Sequence, residues 1–185
     1  TVATLSYLPF GSYAITSNLK VREGSTLTIE PSVILQSESN FSKLDIRGTL
    51  IAEGTPNQPI IYRGKSAGGF VLTGGALKFV NLSNNSSLNY FHAQDFEGIE
   101  INTSSLVINN SHIQTNSNKT GISNEFHAAP TISNTIITNC GNHGVYIKSG
   151  HPIFQNCTIS NNGNDGIHCI NPGSATLDNV TITNN

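Results

Sequence analysis

The chain has 185 residues, of which 36% are hydrophobic and only 11% are charged, and its formal net charge is −2 at pH 7. This length fits one domain. The slightly negative charge, without a basic cluster, argues against nucleic acid as a partner. No apolar run approaches the length that crosses a bilayer, so we expect no membrane span.

The first 18 residues carry apolar bulk and turn signals, contributed by Tyr7, Leu8, Phe10 and Tyr13. A stack of strands exposes unpaired backbone and apolar core at its end, and this end has to be covered. We therefore predict that residues 1–18 form an N-terminal cap and that the regular coils occupy residues 19–185, within a single domain.

Residues 19–63 contain short runs in which apolar and polar residues alternate, and Gly, Pro, Ser and Asn separate these runs. Examples are Leu27-x-Ile29, Val33-x-Leu35 and Ile46-x-Gly48-x-Leu50. Runs this short with a period of two predict β-strands rather than helices.

The last half of the chain repeats itself every 22–24 residues. A glycine followed by a β-branched residue recurs at Gly98, Gly121, Gly144 and Gly166. An asparagine recurs with the same period at Asn110, Asn134, Asn156 and Asn179. Two markers that share one period indicate a solenoid in which each repeat is one coil.

Each coil has room for three short strands, so we predict an all-β fold, a right-handed parallel β-helix of seven to eight coils. At the spacing of parallel strands it would be roughly 35 Å tall. The residues after the repeated glycines should form one inward ladder, namely Ile99, Ile122, Val145 and Ile167. The repeated asparagines should form a ladder at a corner, because Asn tolerates the left-handed conformation.

The amino-acid sequences of two segments resemble those of a known family. These segments are Ser25-Thr26-Leu27-Thr28-Ile29-Glu30-Pro31-Ser32-Val33 and Leu44-Asp45-Ile46-Arg47-Gly48-Thr49-Leu50-Ile51-Ala52-Glu53-Gly54-Thr55-Pro56, followed by Gln58-Pro59-Ile60-Ile61-Tyr62. They resemble the opening coils of parallel β-helix repeat proteins on bacterial surfaces and among secreted bacterial proteins, with Ser32 where that family usually has Gly. The C-terminal repeats resemble the same pectate-lyase-like superfamily, which also includes polygalacturonases and uronan epimerases. This resemblance implies the β-helix fold and an extracellular or bacterial cell-surface location.

The sequence ends at Asn185 in the middle of a repeat, without a capping segment. We therefore expect that the chain continues past this residue or that its end stacks on a partner.

Stacked coils bring distant residues together, so candidate sites can be found by aligning equivalent positions of successive repeats. The position before each repeated glycine holds Glu97, Thr120, His143 and Asp165, and the position two after it holds Glu100, Ser123, Tyr146 and His168. We predict that these residues share one outward face. Its candidate glycan-binding residues are Glu97, Glu100, His143, Tyr146, Asp165 and His168. The competing interpretation is that these polar residues simply cover a solvated surface.

Two classes of function stay open. Acids and histidines on one face could perform general acid–base chemistry on a sugar. A polysaccharide lyase or glycoside hydrolase is therefore one alternative, with part of its site beyond residue 185. However, the fragments around Asp165-Gly166 and His143-Gly144 are similar to polygalacturonase motifs but occur in the opposite order along the chain. In that family the Asp fragment precedes the His fragment. The paired aspartates of that family are also missing.

We therefore favour an exported, non-catalytic β-helix and assign no catalytic residue. It would act as a surface adhesin, stalk or structural element with weak glycan binding. Its expected partners are a polysaccharide or another surface protein.

We predict no cofactor and no metal site. His92 and His112 share a column of the aligned repeats, but two histidines alone make an incomplete site. The three cysteines, Cys140, Cys157 and Cys169, share no column and form no CxxC motif. They are expected to be buried, unpaired thiols.

Overall fold

The structure is a computed structural model. It describes residues 1–9, 11–39, 41–67, 70–71, 74–80, 85–103, 105–115 and 118–185. Phe10, which the sequence analysis assigns to the cap, lies outside the described residues.

The described chain forms three long parallel sheets. The first sheet contains β1 (Val2–Leu5), β4 (Thr26–Ile29), β7 (Thr49–Glu53), β12 (Ser87–Asn89), β15 (Val107–Asn109), β18 (Thr131–Ser133), β21 (Ile153–Gln155) and β24 (Thr176–Asp178). The second contains β2 (Tyr13–Ile15), β5 (Ile34–Ser37), β8 (Ile60–Gly64), β13 (Phe91–Phe96), β16 (His112–Thr115), β19 (Ile136–Thr138), β22 (Thr158–Ser160) and β25 (Thr181–Thr183). The third contains β3 (Leu19–Val21), β6 (Leu44–Ile46), β11 (Leu77–Phe79), β14 (Ile99–Ile101), β17 (Ile122–Asn124), β20 (Val145–Ile147) and β23 (Ile167–Cys169).

Three consecutive strands, one in each sheet, make one coil of a β-solenoid. The strand order gives seven complete coils, and β24 and β25 begin an eighth. This arrangement confirms the predicted parallel β-helix. The third coil also carries a short antiparallel pair, β9 (Ser66–Ala67) and β10 (Phe70–Val71), between its second and third sheets.

The interior is a single apolar core to which all three sheets contribute. The predicted ladder is confirmed, because Ile99 pairs in register with Ile122, Ile122 with Val145, and Val145 with Ile167. The first three of these side chains are at most 1% exposed. Such stacking removes apolar surface from water, and each Å² that is buried stabilises the fold by about 25 cal/mol. Each inward position is therefore important for stability.

The repeated asparagines lie at the corner between the first and second sheets, where the backbone turns sharply. All four have positive φ: 49° at Asn110, 48° at Asn134, 54° at Asn156 and 51° at Asn179. The side-chain amide of Asn179 donates to Oδ1 of Asn156 at 2.7 Å. The amides of Asn110 and Asn134 instead donate to Asn89 and Asn109, which belong to the preceding coils. The predicted corner is therefore confirmed, and its hydrogen bonds link successive coils.

The repeated glycines are needed because neighbouring coils approach closely at this point. A Cβ atom on Gly144 would lie 2.7 Å from the carbonyl oxygen of Gly166 and 2.7 Å from Cγ2 of Ile159. At Gly121 it would lie 2.6 Å from the carbonyl oxygen of Gly144. No side chain fits at these two positions without a shift of the backbone.

The N-terminal residues differ from the expected cap. Regular coils were assigned from residue 19 onwards, whereas parallel pairing begins at Val2, since β1 pairs with β4 and β2 with β5. Leu5 and Tyr13 pack against the core, and the Tyr13 hydroxyl donates to the carbonyl of Ser6 at 3.0 Å. Residues 1–18 thus cover the second coil by forming most of a first coil.

One of the three cysteines departs from the prediction of buried thiols. All three are unpaired, and Cys140 and Cys157 are buried, but Cys169 is exposed. Cys169 stacks on Ile147 in an inward column, yet it lies on β23, the outermost strand of the third sheet. The described residues contain no helix long and apolar enough to cross a membrane.

Candidate functional site

The candidate site lies on the outer face of the third sheet. In β14, β17 and β20, buried residues flank a central residue that is only partly buried, so the central side chain points away from the core. Parallel pairing aligns these central residues into what we call the outer column, which runs through Lys78, Glu100, Ser123, Tyr146 and His168. Four steps at the parallel-strand spacing make it about 19 Å long.

Three rings cluster at the C-terminal end of the outer column, and we call His143, Tyr146 and His168 the ring cluster. The rings of Tyr146 and His168 stack with centroids 5.6 Å apart and an interplanar angle of 11°. His143 packs beside both, with its centroid 6.0 Å from Tyr146 and 4.5 Å from His168. Each side chain therefore restricts the rotamers of the other two.

Asp165 connects the two histidines of the ring cluster. Its Oδ2 lies 2.7 Å from Nδ1 of His168 and 3.3 Å from Nδ1 of His143. The backbone N–H of Asp165 also donates to Nδ1 of His143 at 3.3 Å. Both Nδ1 atoms thus face the same carboxylate, although Asp165 and His143 belong to different coils.

His143 is more enclosed than the sequence analysis expects, since only 16% of its side chain is exposed. Burial lowers the pKa of His143 below its ordinary value of 6.5, as does the neighbouring His168, while Asp165 acts in the opposite direction. The imidazole is therefore neutral at pH 7. In that state Nδ1 carries one lone pair, which accepts the hydrogen bond from the Asp165 amide.

The two glutamates of the predicted face lie apart from the ring cluster. Glu100 is two coil steps from Tyr146 and forms an ion pair with Lys78 at 2.7 Å. Glu97 forms an ion pair with Lys119 at 2.9 Å. The structure therefore brings together four of the six candidate residues, and lysines of neighbouring coils neutralise the remaining two.

A cavity of about 420 Å³ lies on the same face of the third sheet, and we call it the cleft. Its lining residues are Lys78, Glu100, Asn102, Ser123, Glu125 and Phe126. Ser123 connects the two regions, because it lines the cleft and pairs directly with Tyr146. The cleft and the ring cluster thus lie one coil step apart on the same face of the third sheet.

The sequence analysis did not include Phe126 or Glu125. Phe126 is 68% exposed, has a φ of 54°, and follows β17 in a turn rather than in a strand. Oε1 of Glu125 lies 3.9 Å from Nζ of Lys148. Glu125 and Lys148 each lie four positions after a repeated glycine, so aligning the repeats at this position would have predicted that they are neighbours. Phe126 could not be found in this way, because a turn residue has no regular side-chain direction.

Metal ligands were considered in the sequence analysis only at His92 and His112. These residues do pair in register, and their rings lie 6.1 Å apart. Burial lowers the pKa of both imidazoles, and each stays neutral at pH 7. Among the described residues, three side chains that could bind one metal ion together lie elsewhere, namely His143, Asp165 and His168.

Comparison with known families identifies the class of protein. A family model described as a right-handed β-helix region matches residues 61–185, about two thirds of the chain. The chain therefore belongs to the right-handed β-helix family, and the pectate-lyase-like superfamily fits this assignment. No curated protein matches the chain, and no solved structure matches it.

Proposed function

We propose that this chain is an exported, non-catalytic β-helix that binds a polysaccharide on the outer face of its third sheet, as an adhesin or surface element does. The observation that supports this best is that the ring cluster and the cleft are neighbours on one face, through the direct pairing of Ser123 with Tyr146. A surface-exposed groove of this kind suits an extended ligand, which does not need a closed pocket.

The composition of the surface favours a sugar as the ligand. Aromatic rings supply flat apolar area with polar edges, and carboxylates, amides and hydroxyls around them supply directional hydrogen bonds. Tyr146 and Phe126 provide the rings, while Asn102, Ser123 and Asp165 provide the polar groups. Lys78, the one lysine among the lining residues of the cleft, is already paired with Glu100, which reduces any preference for an acidic over a neutral sugar.

Export to the bacterial surface is supported by the family resemblance of residues 25–62. A rigid stack of coils with a binding face is well suited to a stalk or adhesin, because it holds the ligand contacts at fixed spacing. If the partner is another surface protein instead, the same outer face would be the contact area.

Binding of purified polysaccharides tests this proposal. We expect weak, saturable binding of at least one member of a panel of neutral glycans and uronans, measured by calorimetry. Tyr146→Ala and Phe126→Ala should weaken it at least about tenfold, equivalent to about 1.4 kcal/mol. Phe41→Ala is the matched control, because Phe41 is 77% exposed but lies in the second coil, away from the face. Binding that is indifferent to both face substitutions would remove the proposed site.

A catalytic role is the second candidate, and the observation in its favour is that Glu100 and Glu125 line the same cleft. Glycoside hydrolysis requires one carboxyl group to be protonated as a general acid. Both glutamates are instead engaged in ion pairs, Glu100 with Lys78 and Glu125 with Lys148, so neither is free for that role. We therefore expect no cleavage of polygalacturonate or alginate, with or without calcium, in assays for reducing ends and unsaturated products. Turnover that disappears in Glu125→Gln or Asp165→Ala would establish the enzyme instead.

A further inference from the structure

We propose that His143, Asp165 and His168 form a binding site for a divalent transition metal ion such as Zn²⁺. Each residue offers one ligand atom, and the three atoms lie within 4.8 Å of one another. This site departs from the expectation of no metal, which considered only His92 and His112. It does not depend on sugar binding, because it needs only these three side chains.

The distances are close to those of a metal centre. Zinc binds imidazole nitrogen and carboxylate oxygen at about 2.0–2.2 Å, so two ligands of a tetrahedral site lie about 3.3–3.5 Å apart. The separation between Nδ1 of His143 and Oδ2 of Asp165 is 3.3 Å, which already fits. The 2.7 Å separation between Nδ1 of His168 and Oδ2 of Asp165 has to widen by about 0.7 Å, which a side-chain rotation in an exposed residue can provide.

The scaffold holds the ligands in place before any ion arrives. The amide of Gly144, the residue after His143, donates to the carbonyl of Asp165 at 3.0 Å, which fixes the two backbones relative to each other. Tyr146 stacks on His168 and packs beside His143, so it limits the rotation of both imidazoles. Support by rigid strands and by packed neighbours is what an effective metal site requires.

The protonation states are also suitable. A metal ligand must be deprotonated, so a histidine has to present a free lone pair. Nδ1 of His143 accepts a long hydrogen bond of 3.3 Å from the Asp165 amide, so it carries a lone pair, and this hydrogen bond would give way to the metal ion. His168 would bind the ion through Nδ1 in the tautomer that carries its hydrogen on Nε2.

The donor set selects the class of ion. Two imidazoles and one carboxylate suit Zn²⁺, Co²⁺, Ni²⁺ and Cu²⁺, whereas Ca²⁺ and Mg²⁺ prefer sites built from oxygen alone. Three protein ligands leave at least one coordination position for water or for an external ligand. Because Asp165 and His168 are 56% and 39% exposed, this position would open toward solvent on the same face as the cleft.

The test is calorimetric titration of the purified, tag-free chain with Zn²⁺ and with Ca²⁺ at about pH 7.5. Cys169→Ser should be the background for every variant, because the exposed thiol of Cys169 could bind the same ions. We expect one Zn²⁺ per chain and no comparable binding of Ca²⁺. His143→Ala, His168→Ala and Asp165→Asn should each weaken Zn²⁺ binding at least about tenfold.

His151→Ala is the matched control. His151 is exposed, and its ring lies 6.5 Å from that of His127, but its Nδ1 is hydrogen-bonded to Ser174 at 2.9 Å rather than to a carboxylate. This variant should bind Zn²⁺ like the background protein. In an independent spectroscopic readout, paramagnetic Co²⁺ should broaden the imidazole NMR signals of His143 and His168 more than those of His127 and His151.

The proposal is overturned by the absence of saturable Zn²⁺ binding, or by binding that survives all three ligand substitutions. Thermal melting of the metal-free variants shows whether each one is folded, so that loss of binding is not confused with unfolding. A chain that binds Zn²⁺ but no polysaccharide would support this site and refute the glycan proposal, and the reverse outcome would do the opposite.

Discussion

The inner and outer surfaces of the third sheet are built from the same strands, yet they vary in different ways. On the inside, Ile99, Ile122, Val145 and Ile167 are interchangeable aliphatic residues that stack in register. On the outside, the equivalent positions change from Glu100 to Ser123, Tyr146 and His168 from one coil to the next. Because successive side chains of a strand alternate between its two faces, the fold can keep its core constant while the outer face acquires specific chemistry.

The largest expected loss of stability comes from a substitution in the inner surface. Val145→Asp places an ionised carboxylate between Ile122 and Ile167, where no partner is available, and should cost more than about 4 kcal/mol of unfolding free energy. Tyr146→Asp, one residue away but outward, is the control and should cost about 1 kcal/mol or less. Urea unfolding followed by circular dichroism distinguishes them. Equal losses in the two variants would show that the inward and outward assignments are wrong.

A second substitution in the inner surface should increase the stability of the fold. Asn124 is fully buried between Ile101 and Ile147, and neither polar atom of its side chain has a hydrogen-bond partner among the described residues. Asn124→Val restores the aliphatic column and removes Oδ1 of Asn124, which occupies the space where a Cβ on Gly150 would lie. It should raise the unfolding free energy by about 1–3 kcal/mol. A lower unfolding free energy in Asn124→Val would mean that a buried water satisfies the amide.

The pH dependence of stability should come from histidines outside the inner columns. Burial lowers the pKa of His92, His112 and His143 below 6.5, so the unfolded chain binds protons more readily than the folded one. Stability that is present above about pH 6.5 is therefore lost as the pH falls through the lowered values. Melting temperatures between about pH 7.5 and pH 5 should decrease, and His92→Gln/His112→Gln should make the decrease smaller. An unchanged slope in this double variant would contradict the assignment.

The smallest effect concerns the ring cluster as a structural element. His143→Ala removes a largely enclosed ring that packs on Tyr146 and His168, so it should cost about 1 kcal/mol. Ser123→Ala, in the outer column next to Tyr146, should cost less, because it removes only a hydroxyl. Thermal melting of both variants provides the measurement. A loss as large as that of Val145→Asp would show that the ring cluster supports the fold and is not merely carried by it.

The repeat pattern was sufficient to predict the sheets, the inward ladder and the asparagine corners. Each of these features depends on one position that recurs from coil to coil in the C-terminal half of the chain, such as Asn134 and Asn156, so the period alone sets the register there. The joint position of Tyr146 and His168 was predictable for the same reason, since both lie two residues after a repeated glycine.

Features that depend on turns or on side-chain reach could not be predicted in this way. Phe126 lies in a turn with positive φ, and Lys119 reaches Glu97 from a neighbouring coil. The contact of Asp165 with both histidines depends on rotamers rather than on register. Cys169 occupies an inward position, but its exposure depends on what lies above its strand, which the repeat does not specify.

Hydroxyl-radical footprinting tests the central claim most directly, because it reports the solvent access of individual side chains with and without a bound polysaccharide. Binding should slow the oxidation of Tyr146, His168 and Phe126. Tyr7 and Phe41, which are 52% and 77% exposed in the first two coils, should react at unchanged rates. Protection of Tyr7 or Phe41 with continued oxidation of Tyr146 and Phe126 would contradict the claim that the outer face of the third sheet is the binding surface.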